Sequence, residues 1–203
     1  RGQQGRDDAQ RIEALERATL VLLDAGRRFG SGLQYVHLDG GVEFVRKDLG
    51  APAALPMILN VSAVTSGREP GTHFLVCDGA GKKLLSLERS GRTWRENPLA
   101  DIDIPIHTQV IDFDSDDDED ILVADLGLMP PVGALAGKIV LLRQTKPGTH
   151  AKEVLLERLH RVSDTRALDL DSDGDLDIVV AEFGGADRGS IFWLENAGAG
   201  RYE

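Results

Sequence analysis

Residues 121–127 read Ile-Leu-Val-Ala-Asp-Leu-Gly, and residues 178–184 read Ile-Val-Val-Ala-Glu-Phe-Gly. The two segments begin 57 positions apart, and each is a short apolar run that ends in an acid and a glycine. Weaker copies lie at 74–79 and 20–26. Runs of this kind are typical of buried strands closed by turns, so the copies predict a repeat built on β-strands.

Further predicted strands surround each copy. A second apolar run follows the first, at 32–38, 81–87, 137–142 and 189–194. A third, more polar run comes next, at 42–46, 93–96, 152–156 and 201–203. Two copies also have a strand before them, at 108–111 and 165–168. Glycine and Pro-Gly turns separate these runs, which is the punctuation of antiparallel hairpins.

Four short antiparallel strands that recur at roughly 40–60 residues are the signature of a β-propeller blade. We therefore expect an all-β protein, a β-propeller or partial propeller of about four blades, each a four-stranded antiparallel sheet. A β-sandwich is the alternative, although a sandwich does not require one unit to recur.

The whole chain, 1–203, is expected to form a single propeller-type domain. Its expected blades are a degenerate 7–46, 58–98 without a metal loop, 106–156, and 164–203 with its last strand cut short. Residues 7–19 fit either a short helix or a degenerate first strand. Because the chain begins at Arg1 and not at methionine, we expect a piece of a longer protein, with further blades in the same or another chain. About four units could also close as a small ring.

The formal net charge of −11 is concentrated in two windows. Residues 112–120 hold seven acids and residues 169–177 hold five, so the rest of the chain is nearly neutral. There is no basic stripe to neutralise phosphates, so nucleic acid is not an expected partner. No run approaches the ~20 apolar residues of a membrane span. Predicted strands flank both acidic windows, which argues against a solvated acidic tail.

The window 169–177 reads Asp-Leu-Asp-Ser-Asp-Gly-Asp-Leu-Asp. Carboxylates at its positions 1, 3 and 5 converge on one side of a tight turn, and Gly174 at position 6 lets the carbonyl of Asp175 turn toward the same point. Calcium binds hard oxygen ligands in this arrangement. An EF-hand would close with glutamate at position 12, but Val180 stands there in a predicted strand. Asp177 at position 9 is therefore the expected last ligand.

The window 112–120 repeats this plan as Asp-Phe-Asp-Ser-Asp-Asp-Asp-Glu-Asp. Asp117 replaces the glycine at position 6, and aspartate tolerates the left-handed backbone region better than most residues do. The crowded carboxylates would repel one another without a cation. We expect Ca²⁺ at both windows, since Mg²⁺ prefers few protein ligands and retained waters. The aligned stretch 65–73 keeps a single acid, Glu69, and is expected to be metal-free.

This pattern resembles the FG-GAP/VCBS repeat of integrin α-chain propellers and many bacterial exported proteins. The resemblance lies in an apolar strand, the motif D-x-D-x-D-G-x-x-D, a second strand and then Phe-Gly. Residues 164–196 carry the resemblance most closely, 106–143 carry it well, and the chain before residue 100 carries it faintly. The resemblance implies propeller blades with calcium in the hairpin between the first two strands. It also implies an exported protein, extracellular or periplasmic, where calcium sites work at roughly 10⁻⁴–10⁻³ M. The implied ligands are Asp112, Asp114, Asp116 and Asp120 with the Asp118 carbonyl, and Asp169, Asp171, Asp173 and Asp177 with the Asp175 carbonyl.

The sequence contains no paired-histidine metal motif, no nucleophile elbow and no phosphate-binding glycine loop, so no residue is predicted to be catalytic. Of the five histidines, His107 lies beside the predicted innermost strand of its unit, with Asn60 and Asp164 in equivalent positions of neighbouring units. Side chains there can line a propeller channel. A surface or hydrogen-bonded histidine is the alternative.

Two classes of function fit this sequence. The expected one is an extracellular binding module for a protein or glycan, stiffened by calcium. The alternative is part of a carbohydrate-active lyase or hydrolase with its site at the channel mouth. The fold alone does not choose between them. Convergence of Asn60, His107 and Asp164 on one mouth, with a further metal there, would favour the enzyme.

Overall fold

The computed structural model describes residues 37–38, 42–43, 57–65, 72–91, 93–129, 134–183, 189–196 and 202. Every regular element in these ranges is a β-strand, and all the pairings between strands are antiparallel. The all-β, antiparallel part of the expectation is therefore confirmed. The described residues contain no helix of the length and apolarity needed to cross a bilayer.

The strands form one hairpin and three larger sheets, each connected in simple chain order. Strands β1 (His37–Leu38) and β2 (Val42–Glu43) make the hairpin. Sheet I contains β3 (Ile58–Thr65), β4 (Thr72–Asp78), β5 (Lys83–Ser90) and β6 (Thr93–Asp101). Sheet II contains β7 (Pro105–Ile111), β8 (Asp120–Asp125), β9 (Gly137–Lys146) and β10 (Thr149–Leu159). Sheet III contains β11 (Val162–Leu168), β12 (Asp177–Glu182) and β13 (Ser190–Leu194).

Two of the three larger sheets have the four strands that the sequence predicts, and sheet III has three among the described residues. The start of a fourth is marked by an antiparallel bridge between Asn196 and Tyr202. Most of the expected first unit, 7–46, and most of the stretch 65–73 lie outside the described residues.

Sheet II is covered on both faces, and strand β8 shows how. Its residues Ile121 and Val123 pack with sheet I, next to Leu75. The alternate residues Leu122 and Ala124 pack with sheet III. Successive side chains of a strand point to opposite faces, so a continuous apolar run is what a strand buried on both faces requires. Cys77 lies in the first of these cores and is buried, and burial raises the pKa of its thiol to about 12.

The same hydrogen bond holds each sheet to the segment that leads into it. A backbone N–H just after the second strand donates to a carbonyl just before the first strand. The three pairs are Gly79 to Met57 at 3.0 Å, Leu126 to Ile104 at 2.9 Å and Phe183 to Arg161 at 2.8 Å. This hydrogen bond therefore fixes the residue that leads into the first strand of each sheet.

The first strand of each sheet also has a β-bulge at the same place. The register shifts between Ile58 and Asn60 in β3, between Pro105 and His107 in β7, and between Val162 and Asp164 in β11. A bulge redirects the side chains beside it. The three residues that the sequence places in equivalent positions therefore occupy the same register position in three successive sheets.

Gln109 connects the first strands of sheets II and III. Its side-chain amide accepts a hydrogen bond from the Ala167 N–H at 2.7 Å and donates one to the Ala167 carbonyl at 3.0 Å. Gln109→Ala leaves both backbone groups without these partners, so we expect the free energy of unfolding to fall by about 1–2 kcal/mol. Urea denaturation measures this, with Gln144→Ala in β9 as the control, because the Gln144 side chain accepts only a long, exposed hydrogen bond, from the Gly148 N–H at 3.4 Å. Equal effects of the two substitutions would contradict the bridging role.

Candidate metal centres

The two aspartate windows form loops at the same place in two sheets. Residues 112–119 connect β7 to β8, and residues 169–176 connect β11 to β12. Both therefore join the first and second strands of their sheet, as the resemblance implies. We call them loop 1 and loop 2.

Each loop brings its first three alternate carboxylates together. One carboxylate oxygen from each of Asp112, Asp114 and Asp116 lies within 4.8 Å of the others, and the same holds for Asp169, Asp171 and Asp173. Successive oxygens at this spacing can touch a common cation, because Ca²⁺ binds oxygen at roughly 2.3–2.6 Å. The structure thus assembles positions 1, 3 and 5 of both loops.

Two residues in each loop adopt the left-handed backbone conformation that makes this convergence possible. They are Ser115 and Asp117 in loop 1, with φ of 61° and 71°, and Ser172 and Gly174 in loop 2, with φ of 68° and 97°. Position 6 is left-handed in both, so Asp117 does take the place of the glycine. The left-handed serine at position 4 was not predicted.

Hydrogen bonds from the loop backbone hold the carboxylates inward. In loop 1, Asp112 accepts from the N–H groups of Asp116 and Asp117, at 3.1 and 3.0 Å. In loop 2, Asp169 accepts from the N–H of Gly174 at 3.2 Å. A carboxylate has about four lone-pair sites, so these aspartates keep acceptor capacity for a cation.

The position-9 aspartates, Asp120 and Asp177, sit below the loops and are almost fully buried, at 0% and 1% exposure. Asp120 accepts from the N–H of Phe113 at 3.2 Å and of Gln144 at 2.7 Å. Asp177 accepts from the N–H of Leu170 at 3.1 Å and, equivalently, of Asn196 at 2.9 Å. Each ties its loop to the strand end on its other side. Their role as metal ligands stays a prediction.

The predicted carbonyl ligands belong to Asp118 and Asp175. Their own N–H groups donate to Asp116 at 2.8 Å and to Asp173 at 2.9 Å, respectively, so the two residues occupy equivalent places. Coordination through their carbonyl oxygens stays a prediction.

Electrostatics favour a cation at both loops. Burial raises the pKa of Asp120, and the charge of Asp114 raises it further. Hydrogen bonds from the Gln144 and Phe113 N–H groups lower this pKa in part, and the net change is an increase. The pKa of Asp171 is raised by the limited desolvation of an exposed loop and by the charges of neighbouring carboxylates, including that of Asp173. A raised carboxyl pKa means that negative charge is unfavourable there, and a bound divalent cation would offset that cost.

One contact of loop 1 was not predicted. Arg143 of β9 forms an ion pair with Asp114, and its other nitrogen lies 3.3 Å from Glu153. Arg143 is 29 positions from Asp114 in the chain, so only the pairing of strands brings them together. The alignment of β9 with β13 could have drawn attention to it, because Glu195 takes the matching place.

The predicted channel-lining residues are partly brought together. His107 Nδ1 lies 3.1 Å from Asp164 Oδ1, across the junction between sheets II and III. Arg166, which was not predicted, lies 2.9 Å from His107 Nε2 and 3.3 Å from Asp164. Asn60 accepts a hydrogen bond from Ser62, whose hydroxyl in turn accepts from Thr108 of β7 at 3.0 Å.

This arrangement assigns the protonation of His107. A guanidinium can only donate, so Nε2 accepts from Arg166 and the proton of the neutral ring is on Nδ1. His107 Nδ1 lies close to the Asp164 carboxylate but is not aligned for a hydrogen bond. Asp164 therefore acts on the ring through its charge. Burial lowers the pKa of His107, the charge of Asp164 raises it and that of Arg166 lowers it, with a net decrease.

His107 should make the fold sensitive to acid. Because its pKa is lower in the folded protein than the ~6.5 of an unfolded chain, the unfolded state takes up the proton first as pH falls. The contribution of neutral His107 to the free energy of unfolding is therefore complete above the unfolded-state pKa. It is lost as pH falls from there toward the folded-state pKa. Urea denaturation in chelator at pH 7.5 and 5 should show a smaller acid-induced loss in His107→Gln than in the parent. Equal losses would contradict this assignment.

Comparison of the chain with protein-family models and with curated proteins finds no match. The loop geometry is therefore the main guide to function. Its donor set, three convergent carboxylates within each tight loop, fits a hard divalent cation.

Proposed function

We propose that the protein is a calcium-stabilised β-propeller, or part of one, of the FG-GAP/VCBS type, acting as an extracellular or periplasmic binding module for a protein or a glycan. Sheets I, II and III correspond in this proposal to successive blades. Calcium occupies loops 1 and 2 in this proposal, and the sequence of the stretch 65–73, which keeps a single acid, predicts no such site in sheet I.

The observation that carries the proposal is the recurrence of one loop geometry. Two loops in equivalent places of two sheets bring three alternate carboxylates within 4.8 Å, with left-handed residues at the same two positions. A solvated acidic turn has no reason to occur twice with the same backbone. Face-to-face stacking of meander sheets, each entered through the same backbone hydrogen bond, supports the propeller part of the proposal.

Calcium would be held in each loop by the carboxylates at positions 1, 3 and 5, by the carbonyl at position 7 and by the carboxylate at position 9. It would supply positive charge where the acids repel one another, and so stiffen the hairpin between the first two strands. The many protein oxygens in each loop suit Ca²⁺, with six to eight ligands, better than Mg²⁺.

Isothermal titration calorimetry tests the proposal. We expect about two calcium sites per chain and a much weaker response to magnesium. Asp173→Ala should remove one site and Asp116→Ala the other, whereas Glu157→Ala, an exposed acid on β10, should leave both. Calcium should also raise the melting temperature, because a ligand of the native state stabilises it. If calcium gave no binding heat and no shift of the melting temperature, the calcium assignment would be refuted.

A second candidate function, a carbohydrate-active lyase or hydrolase, is favoured by the contact between His107 and Asp164. A carboxylate beside a histidine ring is an arrangement that general bases use. Arg166 covers Nε2, so the ring would have to be uncovered before it could act. A glycan array run beside a panel of polysaccharides separates the two functions. Binding without turnover supports the module, and turnover that His107→Gln abolishes supports the enzyme.

A further inference from the structure

Loops 1 and 2 share their backbone and carboxylate pattern but differ in the charge beside them. Strand β9 passes loop 1 and β13 leads past loop 2, and Leu142 and Leu194 pair with Ile121 and Ile178 in the same register. The residue after each leucine is Arg143 or Glu195. Arg143 contacts loop 1 directly, and the register puts an acid, Glu195, at the matching position of sheet III.

Arg143 makes three contacts that fix it on loop 1. Its guanidinium pairs with Asp114, the carboxylate at position 3. It also lies 6.0 Å from the centre of the Phe113 ring and 3.3 Å from Glu153 of β10. The side chain is about two-thirds buried, so these contacts hold a positive charge in place.

We propose that Arg143 is a built-in counter-ion of loop 1, so that loop 1 depends less on calcium for its stability and binds calcium more weakly than loop 2. The inference rests on the proposed function, because it concerns how the two calcium loops differ. It assigns a role to a residue that the loop pattern itself does not contain.

The physical reason is competition for one carboxylate. Calcium in loop 1 must share Asp114 with the guanidinium or displace it, and the two cations repel each other at this range. Without calcium the guanidinium offsets part of the repulsion among the acids. The matching position in sheet III holds Glu195 in place of a cation, and its negative charge would attract a cation.

The first test measures calcium affinity in loop 1 alone. Asp173→Ala silences loop 2, and calorimetry then compares Arg143 with Arg143→Gln in that background. We expect the substitution to tighten the dissociation constant by roughly two- to fivefold, the size of a partly exposed ion pair. Arg143→Lys, which keeps the charge, should bind calcium more like the parent than like Arg143→Gln.

The second test measures thermal stability with and without calcium. Arg143→Gln should lower the melting temperature in chelator, and saturating calcium should remove most of that difference. Lys138→Gln is the matched control, because Lys138 is on the same strand and pairs with Asp103 at 2.7 Å, away from the loops. Its effect should be the same in both conditions.

An unchanged affinity in Arg143→Gln, or a stability loss that calcium does not reduce, overturns the role of Arg143 and leaves calcium binding intact. If calcium fails to bind loop 1 in Asp173→Ala, both with Arg143 and with Arg143→Gln, the role of Arg143 and the calcium assignment of loop 1 are overturned together. The parent chain with loop 2 intact then shows whether calcium binding fails altogether.

Discussion

Asp177→Ala is expected to lower the free energy of unfolding by about 3 kcal/mol, and to do so even in chelator. Asp177 is 1% exposed and accepts hydrogen bonds from the N–H groups of Leu170 and Asn196. Alanine would leave both part-buried donors without this partner, and each such group costs about 1–3 kcal/mol. Urea denaturation in chelator measures the loss. Asp177→Asn retains one acceptor oxygen and should lose about half as much.

The control is Asp173→Ala in the same loop. Asp173 is exposed and belongs to the convergent cluster. Its removal should therefore change the free energy of unfolding little in chelator, but should abolish the extra stability that calcium gives. Asp177→Ala should show both losses if its carboxylate also binds the ion. If Asp177→Ala costs nothing in chelator, its hydrogen bonds do not support the fold and the residue acts through calcium alone.

Gly137→Ala is the second substitution with a large expected effect. A Cβ at this position would lie 1.8 Å from the carbonyl oxygen of His160 and 2.9 Å from its carbon. These are backbone atoms of the short segment between sheets II and III, and they cannot turn aside as a side chain can. We expect a loss above about 3 kcal/mol, at the upper end of what overpacking costs, or a protein that fails to fold.

Gly148→Ala is the matched control for this clash. Gly148 has φ of 70° in an open turn, with nothing within 4 Å of the added carbon. It should cost about 1 kcal/mol, from backbone strain alone. Comparison of soluble yield and melting temperature for the two variants therefore separates close approach from backbone conformation. A Gly137→Ala protein as stable as Gly148→Ala would mean that the segment after β10 does not pass this close to the start of β9.

The sequence predicts the parts of this molecule that depend on local pattern. The apolar run 121–124 predicts a strand buried on both faces, because successive side chains of a strand point to opposite faces of the sheet. The spacing of Asp169, Asp171 and Asp173 likewise predicts convergent carboxylates, since a tight turn of a few residues sets their direction. Asp117 follows the same logic, because the loop requires a left-handed residue at that position whatever side chain it carries.

Contacts between distant residues were predictable only where the repeat places them in equivalent positions, as for His107 and Asp164. Nothing near Asp114 in the chain indicates Arg143, and nothing near Asp120 indicates that the Gln144 N–H would occupy one of its oxygens. The register that creates these contacts is set by whole strands. The same holds for Arg166, which reaches His107 only because the first strands of sheets II and III lie side by side.

The chain-order connection of sheets I, II and III has a consequence for how the protein folds. Each strand in these sheets pairs only with the strand before or after it in the chain, so the pairings close short loops. Folding rates fall as contacting residues become more distant in sequence. Unlike a sandwich of interleaved strands, this chain can form each sheet as a separate hairpin stack before the stacks meet. We therefore expect folding faster than is usual for an all-β protein of this length, with docking of preformed sheets as the late step.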